Sequence, residues 1–257
     1  FVIPYEGEFT LIGTTDVEHH GAIGAARIDA SEIAYLCEQA SRYLERAVAP
    51  ADVVWSYSGV RPLLDDESGD PSAVTRDYSL ELDTAQAPLL NIWGGKITTF
   101  RKLAEEAADL IAAPLGLPRG AWTESALLPG GDLSAWIGAA HRPDDDFKRF
   151  LHAVLARHPQ LNPVVARRLA RAYGGRIDRV LGEPDTEVAP GLCEAELHYL
   201  HEHEWARTAD DVLWRRSKLG LHLNEHQRAA VAAWCDAHWA ATSSHAEASA
   251  TTEAAWN

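Results

Sequence analysis

The chain has 257 residues, of which 46% are hydrophobic and 24% are charged, a composition that is ordinary for a globular protein and excludes a disordered chain. Its 23 Lys and Arg residues against 38 Asp and Glu residues give a formal charge of −15, which argues against a nucleic-acid-binding protein, because phosphate contacts need a basic surface. The three cysteines form no CxxC pair, so neither a disulfide framework nor a zinc site is indicated.

The first residues predict a hairpin and then a helix. Short β-rich runs flank Glu6-Gly7-Glu8, which is typical of two strands joined by a turn. Apolar residues then recur at three- and four-residue spacing, which predicts a helix that begins at Ser31 and ends at Pro50. The chain contains no methionine and opens on a strand-like run, so we expect it to be part of a longer polypeptide.

Three further strands and a second helix are predicted next. The strands are expected at residues 53–58, 74–82 and 89–93, and the last is nearly all apolar, as in a strand buried on both faces. A helix follows Gly94-Gly95, and Pro114 and Pro118 are expected to close it.

The second half of the chain predicts helices. Residues 117–131 are rich in Pro and Gly, which is typical of a linker between domains. Five helices are expected in residues 132–241, at residues 147–158, 163–173, 193–203, 210–217 and 225–239. Thr208 with Asp211 and Asn224 with Gln227 have the spacing of capping boxes. Residues 242–257 lack an apolar period, and we expect a frayed tail there.

Three cationic residues lie beside features that shape the chain in its first half. Arg61 follows a predicted strand, Arg76 lies within another, and Lys96 follows Gly94-Gly95 at the first turn of a helix. A helix N-terminus reached through two glycines offers free backbone N–H groups and a positive dipole end. Together with Lys96, this turn suits a phosphate or the anionic edge of a reduced flavin, although strand–Gly-Gly–helix also serves merely as a tight turn.

Several segments, taken in chain order, resemble one family. They are Phe1-Val2-Ile3-Pro4-Tyr5, Thr10-Leu11-Ile12-Gly13-Thr14-Thr15-Asp16, Trp55-Ser56-Tyr57-Ser58-Gly59-Val60-Arg61-Pro62-Leu63, Asp65-Asp66-Glu67-Ser68, Thr75-Arg76-Asp77-Tyr78, Gly94-Gly95-Lys96-Ile97-Thr98-Thr99-Phe100-Arg101-Lys102-Leu103, Leu128-Pro129-Gly130-Gly131 and His203-Glu204-Trp205. From residue 1 to about 241, the chain is similar to the C-terminal half of FAD-dependent glycerol-3-phosphate dehydrogenase, the aerobic, quinone-linked enzyme of the FAD-dependent oxidoreductase superfamily.

The resemblance implies an α+β fold. Residues 1–116 would be the C-terminal part of an FAD/NAD(P)-binding-type fold with a mixed substrate-domain sheet, and residues 132–241 an all-α domain. The family's N-terminal half carries the GxGxxG motif that holds the ADP part of FAD, and no glycine cluster of this chain has that form. We therefore expect that this chain alone neither binds FAD tightly nor turns over.

The resemblance also implies a reaction and the residues that serve it. The reaction is oxidation of sn-glycerol 3-phosphate to dihydroxyacetone phosphate, with hydride transfer to FAD and electrons passed to a quinone. By similarity, Arg61, Arg76 and Lys96 would bind substrate, with Arg61 also catalytic, and Gly94, Gly95, Lys96, Ile97 and Thr98 would lie beside the flavin. No general base is assigned here, because the family's proposed histidine belongs to the other half.

The family consists of peripheral membrane enzymes, so the resemblance implies a cytoplasmic protein at the inner face of the cell membrane. It leaves a homodimer open. Two alternatives also stay open: a glycerol-3-phosphate oxidase that uses O2, and a non-catalytic module in which residues 132–241 act as a helical docking domain.

Two charged groups in the second half have competing interpretations. Glu and His residues crowd residues 194–204, and His198 and His201 have a spacing that can bind a metal. We favour a solvated helix face and predict no metal site, because there is no HExxH and no cysteine partner. A basic stripe comprises Arg167, Arg168, Arg171, Arg176 and Arg179. We interpret it as a solvated face, with contact to anionic lipid as the alternative.

Overall fold

The structure is a computed structural model, and it describes residues 1–20, 22, 24, 26–61, 77–117, 120–181 and 186–253. The chain divides into two units, Phe1–Ala126 and Leu127–Asn257.

The first unit opens on an antiparallel hairpin. Strand β1 (Val2–Tyr5) pairs with strand β2 (Phe9–Ile12). The turn includes Gly7 at φ +79°, a conformation that glycine adopts without steric cost. The hairpin predicted around Glu6-Gly7-Glu8 is confirmed.

Helix α1 (Ala30–Ser41) begins at a capping box that was not predicted from the sequence. The Asp29 carboxylate accepts hydrogen bonds from the backbone N–H groups of Ser31 at 2.7 Å and Glu32 at 2.9 Å. In return, the Glu32 carboxylate accepts a bond from the Asp29 N–H at 3.0 Å. These reciprocal bonds satisfy N–H groups that have no partner within the helix.

Helix α1 also ends well before Pro50, its predicted end. The Ser41 hydroxyl donates to the Cys37 carbonyl at 2.7 Å and accepts a bond from the Val48 N–H at 2.9 Å. Because one side chain satisfies groups on both sides of the bend, the chain turns away from the helix here. A 3-10 turn follows at Pro50–Asp52.

The strand predicted at residues 53–58 is wrong. Residues 53–61 contain neither helix nor strand, and Val54 and Tyr57 are exposed. A β-branched run forms a strand only where a neighbour completes its ladder of hydrogen bonds, and no described strand pairs with this segment.

Strands β3 (Tyr78–Asp83) and β4 (Leu89–Gly94) form a second antiparallel hairpin. They confirm the strands predicted at residues 74–82 and 89–93 over the described part of each, since residues 74–76 lie outside it.

Helix α2 (Phe100–Leu115) packs against this hairpin and follows a 3-10 turn at Ile97–Thr99. Pro114, expected to close the helix, lies inside its last turn, and Pro118 lies outside the described residues. Gly116 caps the helix at φ +64°, a left-handed conformation that glycine favours.

The described residues of the first unit bury few apolar side chains. Only Cys37, Ala40 and Ala107 are buried among them. The expectation that β4 is buried on both faces is wrong, since Ile92 and Trp93 are about half exposed. Each described strand pairs only with its neighbour in sequence, and the mixed sheet, which would be built partly from strands of the other half of the protein, stays a prediction.

The second unit is mainly helical. Its elements are α3 (Ser134–Ile137), α4 (Pro143–Arg157), α5 (Pro163–Tyr173), a 3-10 helix (Gly174–Arg179), β5 (Glu187–Ala189), β6 (Leu192–Cys193), α6 (Glu194–Glu204), a π-helix (Asp211–Arg216), a 3-10 turn (Leu219–Leu221) and α7 (Glu225–Glu253). All five predicted helical segments are present, with shifted bounds. Both predicted capping boxes form, with Asp211 accepting from the Thr208 N–H at 3.0 Å and Asn224 accepting from the Gln227 N–H at 2.9 Å.

Residues from α4 to α7 share one core. Its largest fully buried apolar side chains are Phe150, Ile177, Leu192, Leu197, Leu200, Val154, Val180, Val212 and Val231. Burial of this apolar area is the main force that holds the second unit together.

Two details of the second unit differ from the prediction. Strands β5 and β6 pair across a turn at Pro190-Gly191, so residues 132–241 are not all-α; strands this short carry no alternation that a sequence can reveal. Helix α7 runs on to Glu253, through most of the range 242–257 where a frayed tail is predicted. Alanine has the highest helix propensity, so an Ala-rich run can stay helical without an apolar period.

Two glycine pairs pack backbone against backbone in the second unit. The Gly175 N–H donates to the Gly130 carbonyl at 2.8 Å. A Cβ atom on Gly130 would lie 2.3 Å from the Tyr173 carbonyl oxygen, and one on Gly174 would lie 2.2 Å from the Gly130 carbonyl oxygen. Only glycine permits this approach, which joins the segment before α3 to the end of α5.

We expect Gly174→Ala to lower the free energy of unfolding of the second unit by about 3 kcal/mol or more, because it adds a backbone clash to an unfavourable φ. Gly138→Ala is a matched control. Gly138 has φ +73° and ψ −144°, against +52° and −134° at Gly174, but a Cβ atom there meets nothing within 4 Å. Urea unfolding of both variants measures the difference, and equal losses of stability would contradict the proposed clash.

Candidate functional site

The predicted flavin-contacting residues form one continuous turn between β4 and α2. Gly94 and Gly95 have φ of +67° and +107°, and a Cβ atom on Gly95 would lie 3.2 Å from the Leu103 side chain. Glycine is therefore needed where the chain leaves the sheet and meets the helix. Lys96 is extended and immediately precedes the Ile97–Thr99 turn, so it lies just outside the helix rather than in its first turn.

This turn combines three chemical features. The first N–H groups of a helix have no intrahelical acceptor and lie at its positive dipole end. The Lys96 ammonium adds a full positive charge, and its Nζ lies 3.4 Å from Asp77 Oδ1 in an exposed ion pair. The side chains of Ile97 and Phe100 are 89% and 62% exposed. The turn therefore presents donors, a cation and apolar surface together.

Side chains of β3 and α2, the elements next to this turn, make contacts that stabilise its surroundings. The Tyr78 hydroxyl donates to Glu106 at 2.7 Å, which links the strand to the helix and raises the pKa of Tyr78. On α2, Glu105 accepts from the Thr123 hydroxyl at 3.1 Å and pairs with Arg101 at 3.3 Å. The Tyr78–Glu106 bond thus fixes α2 relative to β3, and the Thr123–Glu105 bond ties α2 to the segment that follows it.

Arg61 lies on a different segment and makes a close ion pair. Its Nη1 donates to Asp16 Oδ2 at 2.7 Å, and the two side chains are 43% and 32% exposed. Arg61 and Lys96 thus contact different carboxylates. Arg76, the third predicted substrate residue, lies outside the described residues.

Asp16 and Asp77 have no role in the predictions made from the sequence. Both belong to the segments that carry the resemblance, yet Asp16 is 45 residues from the arginine that it contacts. A pairing over this distance cannot be inferred from the spacing of residues along the chain. Asp77 is next to Arg76 in the sequence, so the sequence shows two adjacent charged residues there. It does not show that Asp77 pairs with Lys96.

The acidic and histidine residues at 194–204 make structural contacts. Glu196 is 1% exposed and accepts two hydrogen bonds of 2.6 Å from Arg168 and one of 2.6 Å from the Tyr173 hydroxyl. The expectation of a solvated face is therefore wrong for Arg168 and Glu196, since a buried charge needs an opposite charge beside it. Arg167 and Arg171 are exposed, as expected.

The histidines of α6 pack against aromatic rings. His198 meets Trp234 edge-on at 5.1 Å, and His201 stacks on Trp239 at 4.7 Å. In the part of the chain that the structure describes, no group of three His, Cys, Asp or Glu side chains is arranged to hold a metal ion.

Two family models match the chain. Residues 1–101 match the model described as FAD dependent oxidoreductase, and residues 121–241 match the C-terminal domain of alpha-glycerophosphate oxidase. Together the two matches cover most of the chain, and they support its place among the FAD-dependent oxidoreductases. FAD is the cofactor of this family. The match also supports the FAD-binding oxidoreductase fold that was predicted for the first part of the chain.

Similar curated proteins are phosphate-ester dehydrogenases by name. The chain is 43% identical to the aerobic glycerol-3-phosphate dehydrogenase of Escherichia coli (strain K12), over 91% of this chain and 46% of that protein. It is 42% identical to the D-erythritol 1-phosphate dehydrogenase of Brucella abortus (strain 2308), over 92% of this chain and 47% of that protein. It is also 42% identical to a glycerol-3-phosphate dehydrogenase of Pseudomonas aeruginosa, over 89% and 44%.

The chain thus spans somewhat less than half the length of these relatives. Among the described helices, none has both the length and the apolar character required to cross a bilayer.

Proposed function

We propose that this chain forms the substrate-facing and flavin-facing half of an FAD-dependent dehydrogenase that oxidises sn-glycerol 3-phosphate to dihydroxyacetone phosphate. The observation that carries the proposal is the turn from Gly94 to Thr98, which combines backbone donors, an ammonium and the exposed apolar side chain of Ile97. A protein about twice as long, like its relatives, would contain the dinucleotide-binding half. This chain alone would then neither hold FAD tightly nor turn over.

The turn fits the flavin ring of FAD. Exposed Ile97 provides apolar contact for a planar ring, while the N–H groups that start the helix and the Lys96 ammonium stabilise negative charge at the ring edge. Gly94 and Gly95 allow the backbone to come close, since neither carries a side chain. FAD, when bound, supplies the acceptor for the hydride that leaves the substrate carbon.

Arg61, Arg76 and Lys96 would bind the substrate. A phosphate monoester carries nearly two negative charges, and guanidinium groups bind its oxygens through paired hydrogen bonds. Arg61 would also stabilise negative charge on the reacting hydroxyl oxygen as its proton leaves. The Arg61 and Lys96 side chains are each more than two-fifths exposed in their ion pairs, so both can reach an incoming anion.

We further propose that the electrons pass to a quinone and that the whole protein works at the cytoplasmic face of the membrane. The resemblance supports both statements. The alternative is an oxidase that passes electrons to O2. Residues 121–241 support this alternative, because they match the C-terminal domain of alpha-glycerophosphate oxidase. The non-catalytic docking module is less well supported, because the predicted flavin turn of the first unit is intact.

The test is a substrate panel with the whole FAD-loaded protein. Glycerol 3-phosphate, D-erythritol 1-phosphate and unphosphorylated glycerol are supplied with a quinone analogue, and then with O2 while peroxide is measured. We expect glycerol 3-phosphate to give dihydroxyacetone phosphate with the highest kcat/KM and glycerol to react at least about a hundredfold more slowly, since it lacks the bound anion. Preference for the erythritol ester would overturn the substrate assignment, and peroxide in stoichiometric yield would overturn the quinone.

A further inference from the structure

The ion pair between Arg61 and Asp16 joins two distant parts of the first unit. Its length is 2.7 Å, whereas the Glu38–Arg42 pair of the same unit measures 3.8 Å. Both members are partly exposed, so the pair itself adds little to stability. Its main physical consequence is to fix where the guanidinium lies.

Asp16 is carried by a segment that is anchored on both sides. The chain leaves β2 at Gly13, whose backbone N–H donates to the Phe1 carbonyl at 3.3 Å. The Thr15 hydroxyl donates to Glu32 at 2.5 Å, and Glu32 is the residue that closes the capping box of α1. The hairpin and the start of α1 therefore set the position of the Asp16 carboxylate.

Arg61 has less local support. It ends the segment 53–61, which contains neither helix nor strand and so lacks the regular backbone hydrogen bonds that would direct a side chain. A long side chain on such a segment samples many rotamers unless a contact holds it. The bond to Asp16 supplies such a contact.

We propose that Asp16 is a positioning residue that orients the Arg61 guanidinium for the phosphorylated substrate. The inference rests on the proposed function, in which Arg61 contacts the substrate. Asp16 accepts a hydrogen bond from Nη1 of Arg61. A guanidinium carries five N–H donors, so further donors remain for the oxygens of an anion. The Asp16 carboxylate thus favours one orientation of the Arg61 guanidinium and leaves some of its N–H donors for the substrate.

The test compares Asp16→Ala with Asp16→Asn in the whole FAD-loaded protein. Alanine removes the contact, and we expect KM for glycerol 3-phosphate to rise about tenfold or more. Asparagine keeps an oxygen that can accept from Arg61, so we expect a change below about threefold. If the role of Asp16 were instead to weaken anion binding by its charge, asparagine would lower KM, which would overturn the proposal.

A double-variant cycle separates this inference from the proposed function. Because Asp16 acts through Arg61, adding Asp16→Ala to Arg61→Ala is expected to change kcat/KM by less than about twofold. Glu38→Ala, which breaks the other exposed pair, is the control and should match the wild type. If Arg61→Ala has no effect, the proposed function fails; if it is severe while Asp16→Ala stays within threefold of wild type, only the role of Asp16 fails.

Folding and FAD content are checked by absorbance in every variant. Should Asp16→Ala lose FAD, Asp16→Glu decides the matter. It keeps the charge but moves the carboxylate by one methylene, so a positioning role predicts a raised KM with normal FAD content. An unchanged KM in that variant would overturn the proposal.

Discussion

Arg61→Ala in the whole protein is expected to lower kcat/KM for glycerol 3-phosphate by at least about a hundredfold, which corresponds to roughly 2.7 kcal/mol of transition-state stabilisation. The effect should be large because the same guanidinium is proposed to bind the phosphate and to stabilise charge on the reacting oxygen. An interaction that strengthens in the transition state lowers kcat as well as raising KM. Steady-state kinetics with a quinone analogue measures both constants.

Arg42→Ala is the matched control for this prediction. Arg42 lies in the same unit and also forms an exposed ion pair, but it is proposed to contact no substrate. Its removal should leave kcat/KM unchanged within about twofold. A loss below threefold in Arg61→Ala would remove Arg61 from the site.

Glu196→Ala is expected to destabilise the second unit by about 3–5 kcal/mol. The substitution leaves the Arg168 guanidinium, whose side chain is 20% exposed, without its carboxylate. It also removes the acceptor of the Tyr173 hydroxyl, which is held protonated because burial and the neighbouring Glu196 charge raise the pKa of Tyr173. The loss is measured as a lowered urea midpoint.

Two further variants show whether the buried charge is the cause. Glu202→Ala removes an exposed carboxylate from the same helix and should change the free energy of unfolding by less than about 0.5 kcal/mol. Tyr173→Phe removes a single hydrogen bond and should cost about 1 kcal/mol. If Glu196→Ala were no more damaging than Glu202→Ala, the buried ion pair would not be an important support of this unit.

The features that sequence analysis predicted correctly depend on local interactions. The β1–β2 hairpin requires a turn between adjacent runs, and the capping boxes at Thr208 and Asn224 need partners only three residues away. Such interactions leave a pattern of spacing that can be recognised in one stretch of chain. The turn at Gly94-Gly95 is of the same kind, because its positive φ angles require residues without a side chain.

Two of the errors concern interactions between distant residues. Val54 lies in a run of β-branched and aromatic residues that is typical of a strand, yet no described strand pairs with it. Arg168 looks like its exposed neighbours in sequence, but in the structure it meets Glu196, 28 residues away. Whether such a side chain faces water or a partner depends on how the elements pack, and packing does not follow from spacing.

The order of residues alone therefore determined the family resemblance, which depends on motifs along the chain. It also determined the positions of most helices and the glycine turn, because these arise from contacts within a few residues. Only the tertiary structure decided which carboxylate holds each cation, with Asp16 beside Arg61 and Asp77 beside Lys96. The physical reason is that a charge interacts with whatever lies within a few ångströms of it, and the folded chain determines those neighbours.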